Sequence, residues 1–115
     1  MGYRTEDQEV LSASMASSST ICTLLVARYA GLLIQCIYSG TPTGTLILEI
    51  SAANTNVEAN IPSDSWTQVS SDAVTAANTT AFRVKEVFFK WIRLRYVATS
   101  GTGTLNVYIN KKSLS

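Results

Sequence analysis

The chain of 115 residues contains no histidine, and only 15% of its residues are charged. Without histidine it cannot form a Ser-His-Asp triad or a Cys-His pair, and it lacks the commonest general base. Cys22 and Cys36 are its only cysteines, and the chain does not obviously offer the third and fourth ligands that zinc needs. The sequence therefore predicts a protein that is not an enzyme and that holds no metal and no cofactor.

The formal net charge of the chain is only +1. A chain so close to neutrality is not a nucleic-acid binder by electrostatics alone. Serine and threonine are abundant, which is typical of all-β surface or assembly proteins rather than of helical enzymes. Both cysteines lie in apolar runs, where they are either small core residues or a disulfide. Because no export signal is evident, buried thiols are favoured.

The most regular stretch is 91–110 (WIRLRYVATSGTGTLNVYIN). Apolar and polar residues alternate on both sides of a Gly/Ser/Thr turn, and this period of two predicts strands with one buried and one wet face. We therefore predict a hairpin here. Its inward residues are Ile92, Leu94 and Tyr96 on the first strand and Leu105, Val107 and Ile109 on the second.

The same pattern occurs earlier in the chain. Segment 34–50 (IQCIYSGTPTGTLILEI) aligns with 92–109 (IRLRYVATSGTGTLNVYI) when the second copy takes one extra residue before its turn. Both segments share an Ile, a Tyr, a Thr/Gly-rich turn and a Gly-Thr-Leu strand. Two similar hairpins in one short chain indicate a sandwich built from hairpins. Two copies are too few for a solenoid.

Six to eight short strands with turn signals between them predict an all-β fold, a single antiparallel β-sandwich resembling a jelly roll over residues 21–115. The apolar run 21–38 approaches the length of a membrane span, but Arg28 and Gln35 are costly in hydrocarbon, so two strands are favoured. We therefore expect neither a membrane partner nor a nucleic-acid partner.

Residues 1–20 lack periodicity and are predicted to form an extended N-terminal arm, disordered alone or ordered on a neighbour. An arm that becomes ordered on a partner loses conformational entropy, so tight binding requires apolar anchors. Val10, Leu11 and Met15 are the candidate anchors. On the first strand of the 91–110 hairpin, Arg93 and Arg95 share the outward face, and we expect them to present two fixed cations to a partner.

Three segments carry a resemblance to a known family: 31–51 (GLLIQCIYSGTPTGTLILEIS), 66–69 (WTQV) and 89–112 (FKWIRLRYVATSGTGTLNVYINKK). In this order they resemble a family of small tailed-phage virion proteins with a Tyr-(Val/Ile)-Arg-(Leu/Val)-x-Tyr ending followed by Ser-Gly-x-Gly-Thr-Leu. The chain departs from the family pattern at Leu32, where an aromatic residue is usual, and in the loop 52–56. The strand 91–94 is also similar to one in discoidin-like jelly rolls.

The resemblance implies a structural component of a bacteriophage virion, such as a capsid decoration, head-fibre or tail-associated protein. Its partners would be the major capsid protein or other virion proteins, and it would act as a homo-oligomer located in the virion. Three alternatives remain open: a tail or fibre adaptor, a carbohydrate-binding module that uses the loop 54–66 to bind host glycans, and an OB-like binder of single strands that uses residues 90–96.

Overall fold

The computed structural model describes residues 3–5 and 9–114, and nearly all of its regular structure is β-strand. The strands are β1 (Tyr3–Thr5), β2 (Glu9–Ser14), β3 (Ser19–Leu25), β4 (Gly31–Gly40), β5 (Thr43–Ser51), β6 (Thr67–Val74), β7 (Asn78–Val84), β8 (Trp91–Ser100) and β9 (Gly103–Leu114). Two 3-10 turns, Glu58–Asn60 and Ser63–Ser65, interrupt the loop between β5 and β6.

The strands form two antiparallel sheets that pack face to face. In the five-stranded sheet, β1 and β2 lie end to end along one edge of β9, and β4 and then β7 follow on its other side. The four-stranded sheet has the order β3, β8, β5, β6. Strand pairs are nested, β2 with β9, β3 with β8, β4 with β7 and β5 with β6. This nesting is the jelly-roll topology. The predicted antiparallel sandwich resembling a jelly roll is confirmed.

The core lies between the sheets and is filled by the inward residues of the alternating strands. All six inward residues predicted for the segment 91–110 are buried there, each at most 1% exposed. On β5, Leu46 and Leu48 are buried as well, and Ile50 packs against them from the edge of the core. The period of two therefore identified the buried face of each of these strands correctly.

The predicted hairpins are wrong in one respect. β4 and β5 follow one another in sequence but lie in different sheets, and the same is true of β8 and β9. Each segment is an arch that crosses from one sheet to the other. Alternation shows only that one face of a strand is buried, and both connections use Gly, Ser and Thr, so the sequence pattern does not distinguish a hairpin from an arch.

The two arches pair with each other in both sheets. Ile34 of β4 lies opposite Ile109 of β9, while Ile92 of β8 lies opposite Ile50 of β5. Because the sequence repeat aligns Ile34 with Ile92 and Ile50 with Ile109, these two pairings are equivalent. Exchanging the two copies of the repeat leaves the strand pairing unchanged, so the centre of the sandwich has an internal pseudo-twofold arrangement.

The shared Gly-Thr-Leu sequence has a packing reason. A Cβ atom at Gly44 would collide with the carbonyl oxygen of Val97, and one at Gly103 would collide with the carbonyl oxygen of Ser39. Val97 and Ser39 are themselves equivalent positions of the two copies. Glycine is therefore required in each copy at the point where its backbone approaches the other copy.

The structure corrects the expectation of an arm separate from the sandwich. β2 pairs along β9, with Leu11 opposite Val107 and Ala13 opposite Leu105, and Met15 is 0% exposed in the core. The segment is held because it covers the otherwise open edge of β9 and adds apolar side chains to the core. Residues 1, 2 and 6–8 of the predicted arm lie outside the described residues, as does residue 115.

Candidate interaction surfaces

The outer face of the four-stranded sheet carries a buried carboxylate between two arginines. Glu49 on β5 lies opposite Arg93 on β8 and is 7% exposed. Its Oε1 accepts hydrogen bonds from Arg93 Nε at 2.9 Å and from Arg95 Nε at 2.8 Å, and Arg93 Nη2 lies 2.7 Å from the same oxygen. Two cations share one anion, so the buried charge of Glu49 is fully compensated.

The loop between β5 and β6 folds over this outer face. The indole N–H of Trp91 donates a hydrogen bond to the carbonyl oxygen of Thr55 at 2.9 Å, and Trp91 is 5% exposed. The Arg93 guanidinium lies over the Trp66 ring, 4.3 Å from its centroid, in a cation–π contact. Trp91 is thus buried, and one face of Trp66 is occupied by Arg93.

The outer face of the five-stranded sheet has a different character. Two cross-strand rows run over it, and we call their eight residues the neutral face: Val10, Tyr108, Gln35 and Ala81 in one row, and Ser12, Asn106, Ile37 and Thr79 in the next. Val10 is 57% exposed and Ile37 is 40% exposed. None of the eight side chains carries a charge, so this face combines exposed apolar groups with neutral hydrogen-bonding groups.

The predicted anchors of the arm are distributed over two environments. Val10 lies exposed on the neutral face, whereas Leu11 packs against the core and Met15 is buried in it. The side chains of Leu11 and Met15 are therefore engaged by the chain's own core. Their burial in their own sandwich follows from the alternation of β2, which directs Leu11 and Ala13 inward and Val10 outward.

The two arginines are not the solvated cations that the sequence analysis expected. Their side chains are 22% exposed for Arg93 and 35% for Arg95, and both are held by Glu49. One acid and two bases thus compensate one another within the chain. The expectation of two freely presented cations is corrected, because both arginines satisfy a buried carboxylate of the same chain.

A groove of about 420 Å³ opens along one side of the sandwich, between β6 and β7, which are edge strands of the two sheets. Its apolar lining consists of Leu48, Ile50, Val69, Phe82, Val84 and Phe89. Near the connection between the strands, Thr80 Oγ1 donates a hydrogen bond to Asp72 Oδ2 at 2.6 Å and links the two edges. Phe88 also lines the groove and is 81% exposed.

Two equivalent tyrosines of the arches differ in their hydrogen bonding. The hydroxyl of Tyr38 lies 3.1 Å from Thr80 Oγ1 and is the donor, because the single proton of Thr80 goes to Asp72. The hydroxyl of Tyr96 is buried and has no hydrogen-bond partner among the described residues. Burial, with a smaller contribution from Tyr38, raises the pKa of Tyr96 above its ordinary value.

Cys36 is a fully buried thiol on β4. Burial, with smaller contributions from the nearby Cys22 and Asp72, raises its pKa to about 12. A thiol with so high a pKa is protonated at neutral pH and is a poor nucleophile. The environment of Cys36 is therefore that of a structural core residue.

Within residues 3–5 and 9–114, no group of three or more His, Cys, Asp or Glu side chains is arranged to hold a metal ion. The same part of the chain contains no helix of the length and hydrophobicity that crossing a membrane requires.

Sequence reasoning missed Glu49 and Phe88. Glu49 stands alone in the apolar strand TLILEIS at an outward position, which is a signal for a paired charge. Phe88 stands in an apolar run with Val87 and Phe89. Its exposure depends on the path of the segment before β8, which the sequence pattern does not determine.

The comparisons with known proteins show similarity at the level of the fold. The chain is similar to PirA, with a TM-score of 0.61 and 11% identity over 87% of this chain and 92% of that one. It is similar to a protein of Bacillus endospore appendages, described as disulfide-linked pili, with a TM-score of 0.51 and 16% identity over 98% and 89% of the two chains.

A third similar structure is the SPBc2 prophage-derived protein YomS, with a TM-score of 0.50 and 12% identity over 91% of this chain and 96% of that one. No family model matches the sequence, and no curated protein sequence matches it. At these identities the three structures share the fold with this chain, and the fold alone.

Proposed function

We propose that the chain is a non-enzymatic structural component of a bacteriophage virion that binds the capsid in multiple copies, as a decoration or head-fibre protein does. The observation that carries the proposal is the neutral face. It is an extended sheet surface on which Val10 and Ile37 are exposed among uncharged polar side chains.

The neutral face suits a permanent contact with another protein. Interface cores are depleted in charged residues, because burying a charge without a partner is costly, whereas neutral groups are buried with little loss once they are hydrogen-bonded. The outer face of the four-stranded sheet is less suited, since Glu49, Arg93 and Arg95 already satisfy one another there. The docking surface is therefore assigned to the five-stranded sheet.

The fold and the sequence resemblance support the virion context. Jelly rolls are used by viral capsid proteins, and the motifs in 31–51 and 89–112 resemble those of small tailed-phage virion proteins. Two proteins with a similar fold are a prophage-derived protein and a protein of Bacillus endospore appendages, which are described as disulfide-linked pili.

The proposal is tested by mixing the purified protein with capsids of the encoding phage that have been stripped of accessory proteins. We expect saturable binding by co-sedimentation, with a fixed number of copies per shell. A protein that fails to sediment with shells at any concentration would overturn capsid binding and leave a tail or fibre position, which mixing with purified tails would then test.

A further inference from the structure

The segment between β7 and β8 places an apolar side chain in solvent beside an apolar groove. Phe88 is 81% exposed, the most exposed of the large hydrophobic residues whose side chains the structure describes. It lines the mouth of the groove between β6 and β7, whose lining includes Phe82 and Phe89. An exposed aromatic residue that is continuous with an apolar groove is typical of a contact site.

The Phe88 ring is held in position by its own segment. The backbone N–H of Val87 donates a hydrogen bond to the carbonyl oxygen of Ala30 at 3.0 Å, and that of Lys90 donates to the carbonyl oxygen of Ser51 at 3.3 Å. Phe89 packs against the core and meets the Phe88 ring edge to face, with 5.4 Å between centroids. Because the segment is fixed on both sides, little conformational freedom is lost when Phe88 enters a pocket.

The charges beside Phe88 are of both signs. Arg83, Lys85 and Glu86 also line the groove, all three are exposed, and none forms an ion pair within the described residues. A protruding ring (the knob, Phe88), a groove (the hole) and adjacent opposite charges therefore lie together on one surface. Such a surface complements a second copy of itself. Across a twofold axis each knob meets the hole of the other copy, and each charge meets its opposite.

We propose that a second copy of this chain binds at this edge, with Phe88 of each copy in the groove of the other and Lys85 of each facing Glu86 of the other. The contact covers β6 and β7, which are edge strands of the two sheets. This contact would join the copies of a multi-copy virion protein, and in that respect the inference rests on the proposed function. The contact forms in solution without a capsid, so its failure is distinguishable from a failure to bind shells.

The test measures association of the purified protein by sedimentation velocity over a range of concentrations. We expect a wild-type dimer, and we expect Phe88→Ser to raise its dissociation constant about tenfold or more, because the ring no longer leaves water on association. Val57→Ser is the matched control, since Val57 is also exposed, at 53%, but lies in the loop between β5 and β6. It should leave the dissociation constant unchanged.

The charges permit a sharper test. Glu86→Lys places two lysines against two lysines across the axis, and Lys85→Glu places two glutamates against two glutamates, so each variant alone should dimerise at least about tenfold more weakly. An equimolar mixture of the two variants should form a heterodimer of near wild-type affinity. A monomeric wild-type protein, a dimer indifferent to Phe88→Ser, or a mixture that associates no better than its components would overturn the proposal.

Discussion

The two copies of the internal repeat have kept the same core and diverged on their outer faces. The alignment places Gln35 and Ile37 of the first copy at the positions of Arg93 and Arg95 in the second, and Glu49 at the position of Tyr108. In the four-stranded sheet these equivalent positions form a charged cluster under a loop. In the five-stranded sheet they form the centre of the neutral face.

The difference shows how one packing arrangement supports two uses. The inward positions are constrained because both copies fill the same core, as Ile34 and Ile92 do in equivalent strand pairs. Outward positions are free of that constraint. On the outer face of the four-stranded sheet, the charged groups are paired within the chain. The outer face of the five-stranded sheet retains exposed apolar groups that a partner can cover. The comparison leads to four predictions.

The largest expected effect at neutral pH is at the charged cluster. Glu49→Ala leaves Arg93 and Arg95 together without their carboxylate and should lower the free energy of unfolding by about 2–3 kcal/mol. This is less than the cost of breaking a fully buried pair, because both arginines are partly hydrated. The equivalent change on the neutral face, Tyr108→Ala, should cost about 1 kcal/mol or less. Urea denaturation measures both, and equal losses would contradict the distinction between the two faces.

The second effect concerns Cys36, whose equivalent in the other copy is Leu94. The pKa of Cys36 is raised from 9.0 in the unfolded chain to about 12 in the folded protein. Its contribution to stability is therefore complete below pH 9 and is lost as pH rises towards 12. The loss is about 1.4 kcal/mol per pH unit within that window.

Other groups titrate in the same range, so the measurement compares wild type with Cys36→Ala. The variant should be less stable at pH 7 because a buried atom is removed, but its stability should fall less steeply above pH 9. Parallel curves for the two proteins would show that the thiol of Cys36 ionises in the folded state as readily as in the unfolded state.

A smaller effect distinguishes the two tyrosines. Tyr38→Phe removes the donor to Thr80 and should cost about 1 kcal/mol, whereas Tyr96→Phe removes a buried hydroxyl without a partner among the described residues and should be neutral or stabilising by about 0.5–1 kcal/mol. Thermal unfolding of the two variants measures the contrast. A marked loss of stability in Tyr96→Phe would mean that its hydroxyl is satisfied after all.

The smallest expected effect on stability is on the neutral face. Ile37→Lys exchanges a side chain that is 40% exposed and makes no inward contact, so the free energy of unfolding should change by about 0.5 kcal/mol or less. A lysine placed in the middle of this face should nevertheless prevent it from being buried against a partner. This variant should therefore keep the stability of the wild type and lose binding to the partner.

Much of the fold could be predicted from alternation alone. The inward residues of β5, β8 and β9 follow from a period of two, and the repeat correctly indicated that two similar segments build the sandwich. The arches could not be predicted, because hydrogen-bonding partners depend on which sheet each strand joins, and the turn residues are the same in either case. The edge strand β2 was missed because its alternation is short and its residues are small.

The candidate surfaces were harder to predict than the fold. Arg93 and Arg95 were correctly placed on an outward face, but their partner Glu49 is 44 and 46 positions away and becomes adjacent only through the pairing of β5 with β8. Val10 was named for its hydrophobicity and does lie on the neutral face. Met15 was named on the same ground and is buried, because the chain crosses between the sheets at that residue.

The most direct test of the proposed docking face is the binding of two lysine variants to stripped capsids. Ile37→Lys alters the outer face of the five-stranded sheet, and Val97→Lys alters the outer face of the four-stranded sheet at a residue of similar exposure, 40% against 38%. We expect Ile37→Lys to abolish saturable binding and Val97→Lys to bind as the wild type does, with both proteins folded. Full occupancy by Ile37→Lys, or loss of binding only in Val97→Lys, would contradict the assignment of the neutral face as the surface that meets the virion.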